Sequence, residues 1–381
     1  MDKRIAIIMP SMRFAGGIER VVTLQANYWA QEGHKVSIWV HDGRKDSFYH
    51  LDGNIEFYSL GLDTSNSLIG KIPVVKSIYK FIKRKKKLIK LTKYWKPNIV
   101  ISMMHGPEMY YLPCIRKMAF IIGVNHVTLA LRQGAYSKSY KQRLRNRFLF
   151  VLLVNQLRKY HAVVALSKTD VLNFRRLKCH ALYIPNPCSF TIGKERGMAN
   201  KEKTIIMIGR LDYLKGQDRL IDIWSRIADE YTDWKLLLVG NGDAKSKIYA
   251  QIHEKKLTER IDIIEESRNV RELLEKSSIF AFTSRSESFG MVILEALSSG
   301  LPIVTYDCEN GPRDLVDNYY NGFLVHDDDL ETFVEKLRLL MNNPDLRQKL
   351  SENALFSAER FSLSNVMLQW EELLIKSTYK Q

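Results

Sequence analysis

Residues Ile279–Asp307 read IFAFTSRSESFGMVILEALSSGLPIVTYD. The opening IFAFTS is a short apolar run closed by a polar cluster, the pattern of a strand buried on both faces. Gly290 then opens a helical segment, MVILEALSSG, and PIVTYD follows as a second strand. A strand, a helix and a strand in this order predict two parallel neighbours in a sheet covered by helices.

The same alternation extends in both directions. Upstream lie the strand TIIMIGR, the helical LDYLKGQDRLIDIWSRIADEY, and the strands WKLLLVG and DIIE. The first half repeats the theme. RIAIIMP is a buried strand, Gly16 and Gly17 lie in the loop after it, and a helical pattern from Ile18 to Gln31 leads to the strand KVSIWVH. Further strands are expected at 98–103, 119–125 and 162–167. Between the halves, residues 185–203 carry two prolines, two glycines and clustered charges, the composition of a joint. The expected organisation is α/β: two doubly wound Rossmann-like domains, 1–187 and 188–360, facing a central cleft, with a last helix in 361–381 crossing back to the first. At about 100–200 residues per domain, 381 residues suit two.

Composition excludes several classes. With 45% hydrophobic and 26% charged residues the chain is not disordered. Cys114, Cys179, Cys188 and Cys308 are too scattered for a zinc site or a disulfide framework, so a reducing compartment is expected. The apolar run at the N-terminus is too short for a signal peptide, and the longest one, residues 148–154, falls far below the ~20 residues of a spanning helix. Net charge is +16, but residues 1–187 hold 32 basic and 10 acidic residues against 26 and 32 in the remainder. A basic half seeks a polyanion. From Lys76 to Lys96, lysines interleave with Ile78, Phe81, Ile82, Leu88, Ile89 and Leu91 at roughly helical spacing, which predicts an interfacial helix on an anionic membrane. No helix-turn-helix, zinc or RNA-binding signature accompanies the charge, so nucleic acid is not the expected partner.

Ligands of open α/β sheets bind beyond the carboxyl ends of the strands, so the exit loops carry the candidate site. TIIMI exits into GRLDYLKG, placing Arg210 and Lys215 where two cations suit a diphosphate; a salt bridge to Asp212 or Asp218 is the structural alternative. IFAFTS exits into a loop with Glu287, and the amides of residues 288–292 begin a helix, an anion-accepting start. Glu295 sits among apolar neighbours on that helix and needs a partner. In the first half, Gly16 and Gly17 allow close approach of a phosphate, and His126 stands at a strand exit. No Walker motif or GxGxxG fingerprint occurs. The run Asp327-Asp328-Asp329 contains an Asp-x-Asp, but it precedes LETFVEKL and is expected to cap that helix rather than hold a metal.

Together, AGGIERVV, GRLDYLKGQDRLI, VGNGD, SRSESFGMVILEALSSGLPIV, NGPRDLV and NGFLV resemble the family-4 retaining glycosyltransferases of the GT-B fold. The resemblance spans essentially the whole chain and is strongest from Thr204 to Val325. It implies that Arg210 and Lys215 hold the pyrophosphate of a nucleotide sugar, and that Glu287 meets the sugar near its reacting carbon. Phe289, Gly290, Met291 and Val292 would present amides to sugar and phosphate, and Glu295 would bind the ribose. Gly240, Gly242 and Asp243, with Arg268, Asn269 and Val270, would flank the base. Gly16 and Gly17 would approach the β-phosphate or the acceptor, and His126 the sugar 6-hydroxyl. Arg132 and Tyr136 are candidates for the acceptor side.

The implied reaction transfers a hexose or N-acetylhexosamine, from a UDP-sugar, to a lipid-linked glycan of O-antigen, capsule or lipopolysaccharide. It needs no cofactor and no metal, and takes place on the cytoplasmic face of the cell membrane. No second carboxylate is expected at a first-domain strand exit, so front-face displacement is favoured over a double displacement. The competing readings are a nucleotide-sugar epimerase of the same fold and a non-enzymatic basic protein that binds membranes or nucleic acid.

Overall fold

A computed structural model describes residues 2–42, 44, 46–61, 73–137, 139–193, 201–265, 267 and 269–378, with the backbone alone at 73–78 and 378. The chain divides into two compact units, Met1–Pro187 with Val366–Gln381, and Cys188–Asn365. Part of the expected joint (194–200) and Arg268 lie outside the described residues.

In unit 1 the elements are β1 (Arg4–Met9), α1 (Gly17–Gln31), β2 (Lys35–Val40), β3 (Glu56–Ser59), α2 (Pro73–Trp95), β4 (Ile99–Ser102), β5 (Phe120–Asn125), α3 (Leu129–Gln133), α4 (Tyr140–Leu157), β6 (Ala162–Ala165), α5 (Lys168–Arg176) and β7 (Ala181–Tyr183). The strands form one parallel sheet in the order β3-β2-β1-β4-β5-β6-β7. The central strands are buried along nearly their whole length, as continuous isoleucine- and valine-rich runs must be when helices cover both faces. The chain reversal between β1 and β4 is the switch point of a doubly wound sheet.

Unit 2 repeats the plan with β8 (Thr204–Ile208), α6 (Gln217–Ser225), β9 (Lys235–Val239), α7 (Lys245–Glu254), β10 (Ile261–Ile264), α8 (Val270–Lys276), β11 (Ile279–Phe282), α9 (Met291–Ser298), β12 (Ile303–Tyr306), α10 (Pro312–Leu315), β13 (Gly322–Val325), α11 (Leu330–Asn342) and α12 (Pro344–Glu359). Its six strands run parallel in the order β10-β9-β8-β11-β12-β13. Both units are thus Rossmann-like. The strands β3, β7 and β13 went unread in the sequence; they are three or four residues long and lie at sheet edges, where a short run carries little periodic signal.

The last helix, α13 (Leu363–Thr378), lies largely in unit 1. There Trp370 meets Trp29 edge to face at 5.7 Å, and Trp29 donates through Nε1 to Glu371 at 2.9 Å. The α2 stripe divides: Leu88 is fully buried and Ile89 and Leu91 pack against the unit's own core, while Phe81 and Ile82 remain exposed. Leu88, Ile89 and Leu91 thus serve the core of unit 1, and only Phe81 and Ile82 of the described stripe are left to an interface. The side chains of Lys76 and Ile78 lie outside the described residues.

Candidate active site

In unit 2 the exit loop of β8 is shaped by two close approaches. Gly216 adopts φ +73°, and a Cβ there would stand 2.2 Å from the Thr283 carbonyl oxygen. Gly240 adopts φ +146°, and a Cβ would stand 2.1 Å from the Gly209 oxygen. Neither position accepts a side chain without moving backbone. The β11 exit is then stitched to the β8 exit: the Thr283 hydroxyl donates to the Gly216 carbonyl at 2.7 Å, Ser284 Oγ to Leu214 O at 2.9 Å, and the Arg285 amide to Leu214 O at 2.7 Å.

That stitching brings Lys215 to Glu287, with Nζ donating to Oε2 at 2.5 Å. Asp212 organises the loop from beneath. It accepts from the Lys215 amide through Oδ1 at 2.9 Å and from Arg210 Nε through Oδ2 at 2.6 Å. The structural partner considered for Arg210 is therefore present, yet the Arg210 side chain meets it through Nε and remains 71% exposed. Lys215, at 24%, is more enclosed. Asp218 instead takes Arg285, whose two terminal nitrogens donate at 2.8 and 2.6 Å to its two oxygens. Burial raises the Asp218 carboxyl, but that fork outweighs it and holds the group below its usual value.

Gly290, at φ +94°, is the N-cap of α9. The Ile293 and Leu294 amides are the first to close on the Gly290 carbonyl, so the Met291 and Val292 amides start the helix without intrahelical partners. Phe289 is buried against Phe361 at 6.0 Å, which fixes the turn. Glu295 is 6% exposed and accepts from Ser189 Oγ at 2.6 Å, the partner its burial demanded. Cys308, in the sequence only one of four scattered cysteines, lies close enough to feel Glu287: burial, and after it that charge, push its thiol up to about 12. Asn269 is the N-cap of α8, ahead of Val270, and donates to Glu272 at 3.2 Å. Gly242 and the exposed Asp243 follow Gly240, with the Ala244 amide donating to Leu211 O at 3.0 Å. Asp329 caps α11, accepting from the Thr332 amide at 3.1 Å, while Asp327 pairs with Arg219 at 2.7 Å.

Unit 1 gathers a separate set. His126 follows β5, is 8% exposed, and lies 6.0 Å from the His105 ring. Burial, helped by His105 and Arg132, pulls its imidazole down to about 3, so the ring is neutral. Arg132 donates to Asn125 Oδ1 at 3.0 Å and to Met104 O at 2.9 Å, bracing the exits of β4 and β5, and burial lowers it to about 10. Tyr136 is 42% exposed. Gly16 caps α1, with Gly17 its first residue, and the Glu19 carboxylate fills the space beside Gly16: a Cβ there would lie 2.1 Å from Glu19 Oε2. Burial raises the Glu19 carboxyl.

The expectation that first-domain strand exits lack carboxylates is corrected by Glu19 and by Glu108. Glu108 follows β4 and is fully buried, held by His41 Nε2 at 2.8 Å and by Ser102 Oγ, which donates at 2.9 Å. His41 and Ser102 lie 67 and 6 residues away, and no local spacing announces that contact. With one oxygen on each neighbour, Glu108 is a buttress of the β4 exit rather than a nucleophile.

Comparison with known proteins completes the picture. The family model "Glycosyltransferase Family 4" matches residues 15–188, and "Glycosyl transferases group 1" matches 190–355. An "Uncharacterized glycosyltransferase" of Haemophilus influenzae is 28% identical over 376 residues, covering 98% of this chain and 100% of its own. The "GalNAc-alpha-(1->4)-GalNAc-alpha-(1->3)-diNAcBac-PP-undecaprenol alpha-1,4-N-acetyl-D-galactosaminyltransferase" of Campylobacter jejuni is 26% identical, covering 97% of this chain and 98% of its own. Among solved structures, a mutant of S. aureus TarM in complex with fondaparinux, alpha-GlcNAc-glycerol and UDP superposes with a TM-score of 0.77 at 15% identity, over 97% of this chain and 99% of that one. At that identity the likeness speaks for the fold. The matched models cover one unit each, these two relatives run nearly the full length, and each unit carries a parallel Rossmann-like sheet: the chain belongs to the family-4 glycosyltransferases of the GT-B fold.

Proposed function

We propose that this protein is a retaining transferase that moves a hexose or N-acetylhexosamine from a UDP-sugar to a lipid-linked saccharide in the building of O-antigen, capsule or lipopolysaccharide. The observation that carries the reading is the cation pair organised by Asp212, with Lys215 set on Glu287 near the start of α9. An ammonium, a guanidinium and helix-start amides together suit a diphosphate leaving group. The C. jejuni relative named for an undecaprenol-linked acceptor, and TarM solved with UDP, support the choice of partners.

In the proposed front-face displacement, the bond from the anomeric carbon to the diphosphate breaks as the acceptor hydroxyl oxygen bonds to the same face. The hydroxyl proton passes to the departing diphosphate oxygen, UDP leaves, and the anomeric configuration is kept. Arg210, Lys215 and the amides of Met291 and Val292 stabilise the charge that develops on the leaving group. Glu287 accepts from sugar hydroxyls and holds Lys215 in place. Glu295, with Ser189, takes the ribose hydroxyls, and Gly240, Gly242, Asp243, Asn269 and Val270 flank the base. Neutral His126 donates to a sugar hydroxyl, while Gly16, Gly17, Arg132 and Tyr136 serve the acceptor side. Because the protein's own cations neutralise the diphosphate, the reaction needs no metal. The basic unit 1 works at the inner face of the cell membrane, with the exposed lysines of α2 supplying attraction to anionic lipid.

Incubation with labelled UDP-sugars and a bacterial lipid extract, with and without EDTA, tests the reading. A lipid-bound product with the donor's anomeric configuration, formed equally in EDTA, is expected. An inverted product, EDTA-sensitive transfer, or isomerised free nucleotide sugar would overturn it.

A further inference from the structure

Among the described residues, a long run of exposed apolar side chains lies on α4. Tyr140, Leu144, Phe148, Val151 and Leu152 are 80, 58, 63, 57 and 40% exposed. Their spacing of three to four residues sets them in one stripe along the helix. The opposite face, Phe150, Leu153, Val154 and Leu157, is buried in the core of unit 1. The helix is therefore anchored by one apolar face and presents a second to solvent. A stripe of that size marks an interaction surface.

Charge decides the occupant. Lys141, Arg143, Arg145 and Arg147 flank the stripe and are exposed, and the sequence holds no acidic residue between Glu108 and Asp170. A second copy of the chain would bring the same cations against themselves. Arg143 and Arg147, one turn apart, also line a 260 Å³ pocket with Ala130, Gln133, Gly134 and Ala135. Two guanidinium groups over a pocket of that size suit a phosphate headgroup. Among the described residues no helix is long and apolar enough to cross a membrane, so the stripe fits a helix lying in the plane of the interface.

We infer that α4 is the membrane-inserting element, sinking Leu144, Phe148 and Val151 into an anionic bilayer while Arg143 and Arg147 take a lipid phosphate. The inference rests on the reading that unit 1 works at a membrane, but its test involves neither donor nor acceptor. The full chain is sedimented with vesicles of phosphatidylglycerol and phosphatidylcholine in equal parts, and with phosphatidylcholine alone. Strong preference for the anionic vesicles is expected, falling by about tenfold in the Leu144→Asp/Phe148→Asp variant as apolar burial is lost.

All six native tryptophans are buried, so Phe148→Trp adds an exposed reporter. Lipids brominated on the acyl chain should quench its fluorescence well beyond that of the wild type. Unchanged vesicle binding in the double variant, or quenching no greater than wild type, overturns the inference. A double variant that binds vesicles normally but loses self-association assigns the stripe to a second copy and overturns it as well. If transfer fails while vesicle binding and quenching behave as stated, the lipid-linked acceptor is wrong and the inserting helix stands.

Discussion

His126 offers a quantitative test, because its buried ring is neutral where a free histidine would titrate. Its pKa lies at about 3, against about 6.5 unperturbed, a gap of roughly 3.5 units. Between those values the unfolded chain binds the proton and the folded chain does not, so stability is complete above about pH 6.5 and falls as the pH drops toward 3. At about 1.4 kcal/mol per unit the ceiling is about 5 kcal/mol, and acidification from about pH 6.5 to about pH 5 removes about 2 kcal/mol. His105, also lowered chiefly by burial, acts in the same direction, so the difference between variants is the informative quantity. Denaturant unfolding of wild type and His126→Gln should show a clearly shallower acid loss in the variant. The imidazole resonance of His126 should not titrate between about pH 5 and pH 8. Parallel stability curves, or a His126 resonance titrating near pH 6.5, would refute the argument.

Three further outcomes are expected. Glu287→Gln removes the carboxylate that shares Lys215, so UDP should bind more tightly while transfer slows by about a hundredfold or more, read as a split between calorimetric Kd and kcat. Gly240→Ala forces a Cβ onto the Gly209 carbonyl at a positive φ and should destabilise unit 2 by about 2–4 kcal/mol in thermal melts, with loss of UDP binding. The Asp218–Arg285 fork contributes stability that is present above about pH 4 and lost as the pH falls through the lowered Asp218 value; Asp218→Asn should lower stability near neutrality and flatten that acid limb, so that the two curves converge at low pH.

The sequence made the long, buried parts of the fold legible. β1 and β8 are unbroken apolar runs, and Gly290 followed by MVILEALS marks the start of α9. It also placed Arg210, Lys215, Glu287 and Glu295 on loops and helices whose exits are correctly read. It did not show that Lys215 pairs with Glu287, because the two are 72 residues apart and meet only through the bonds joining Thr283 and Arg285 to the β8 exit loop. Glu108 was passed over for the same reason, since His41 and the buried β4 exit come together only in the folded sheet. The lysine-dense stretch 76–96 draws a reader of the sequence to α2, and the exposed apolar stripe of α4 escapes notice. On α2, however, Leu88 and Ile89 are drawn into the core, whereas α4 carries apolar residues on two opposite faces, and a search for one-sided periodicity passes over it.

The most direct measurement is a calorimetric titration of UDP and of uridine into the wild-type chain and into Lys215→Ala. Wild type should bind UDP far more tightly than uridine, and the substitution should erase most of that difference while leaving uridine binding unchanged. A Lys215→Ala protein that still distinguishes UDP from uridine as well as wild type does would mean that the diphosphate is held elsewhere.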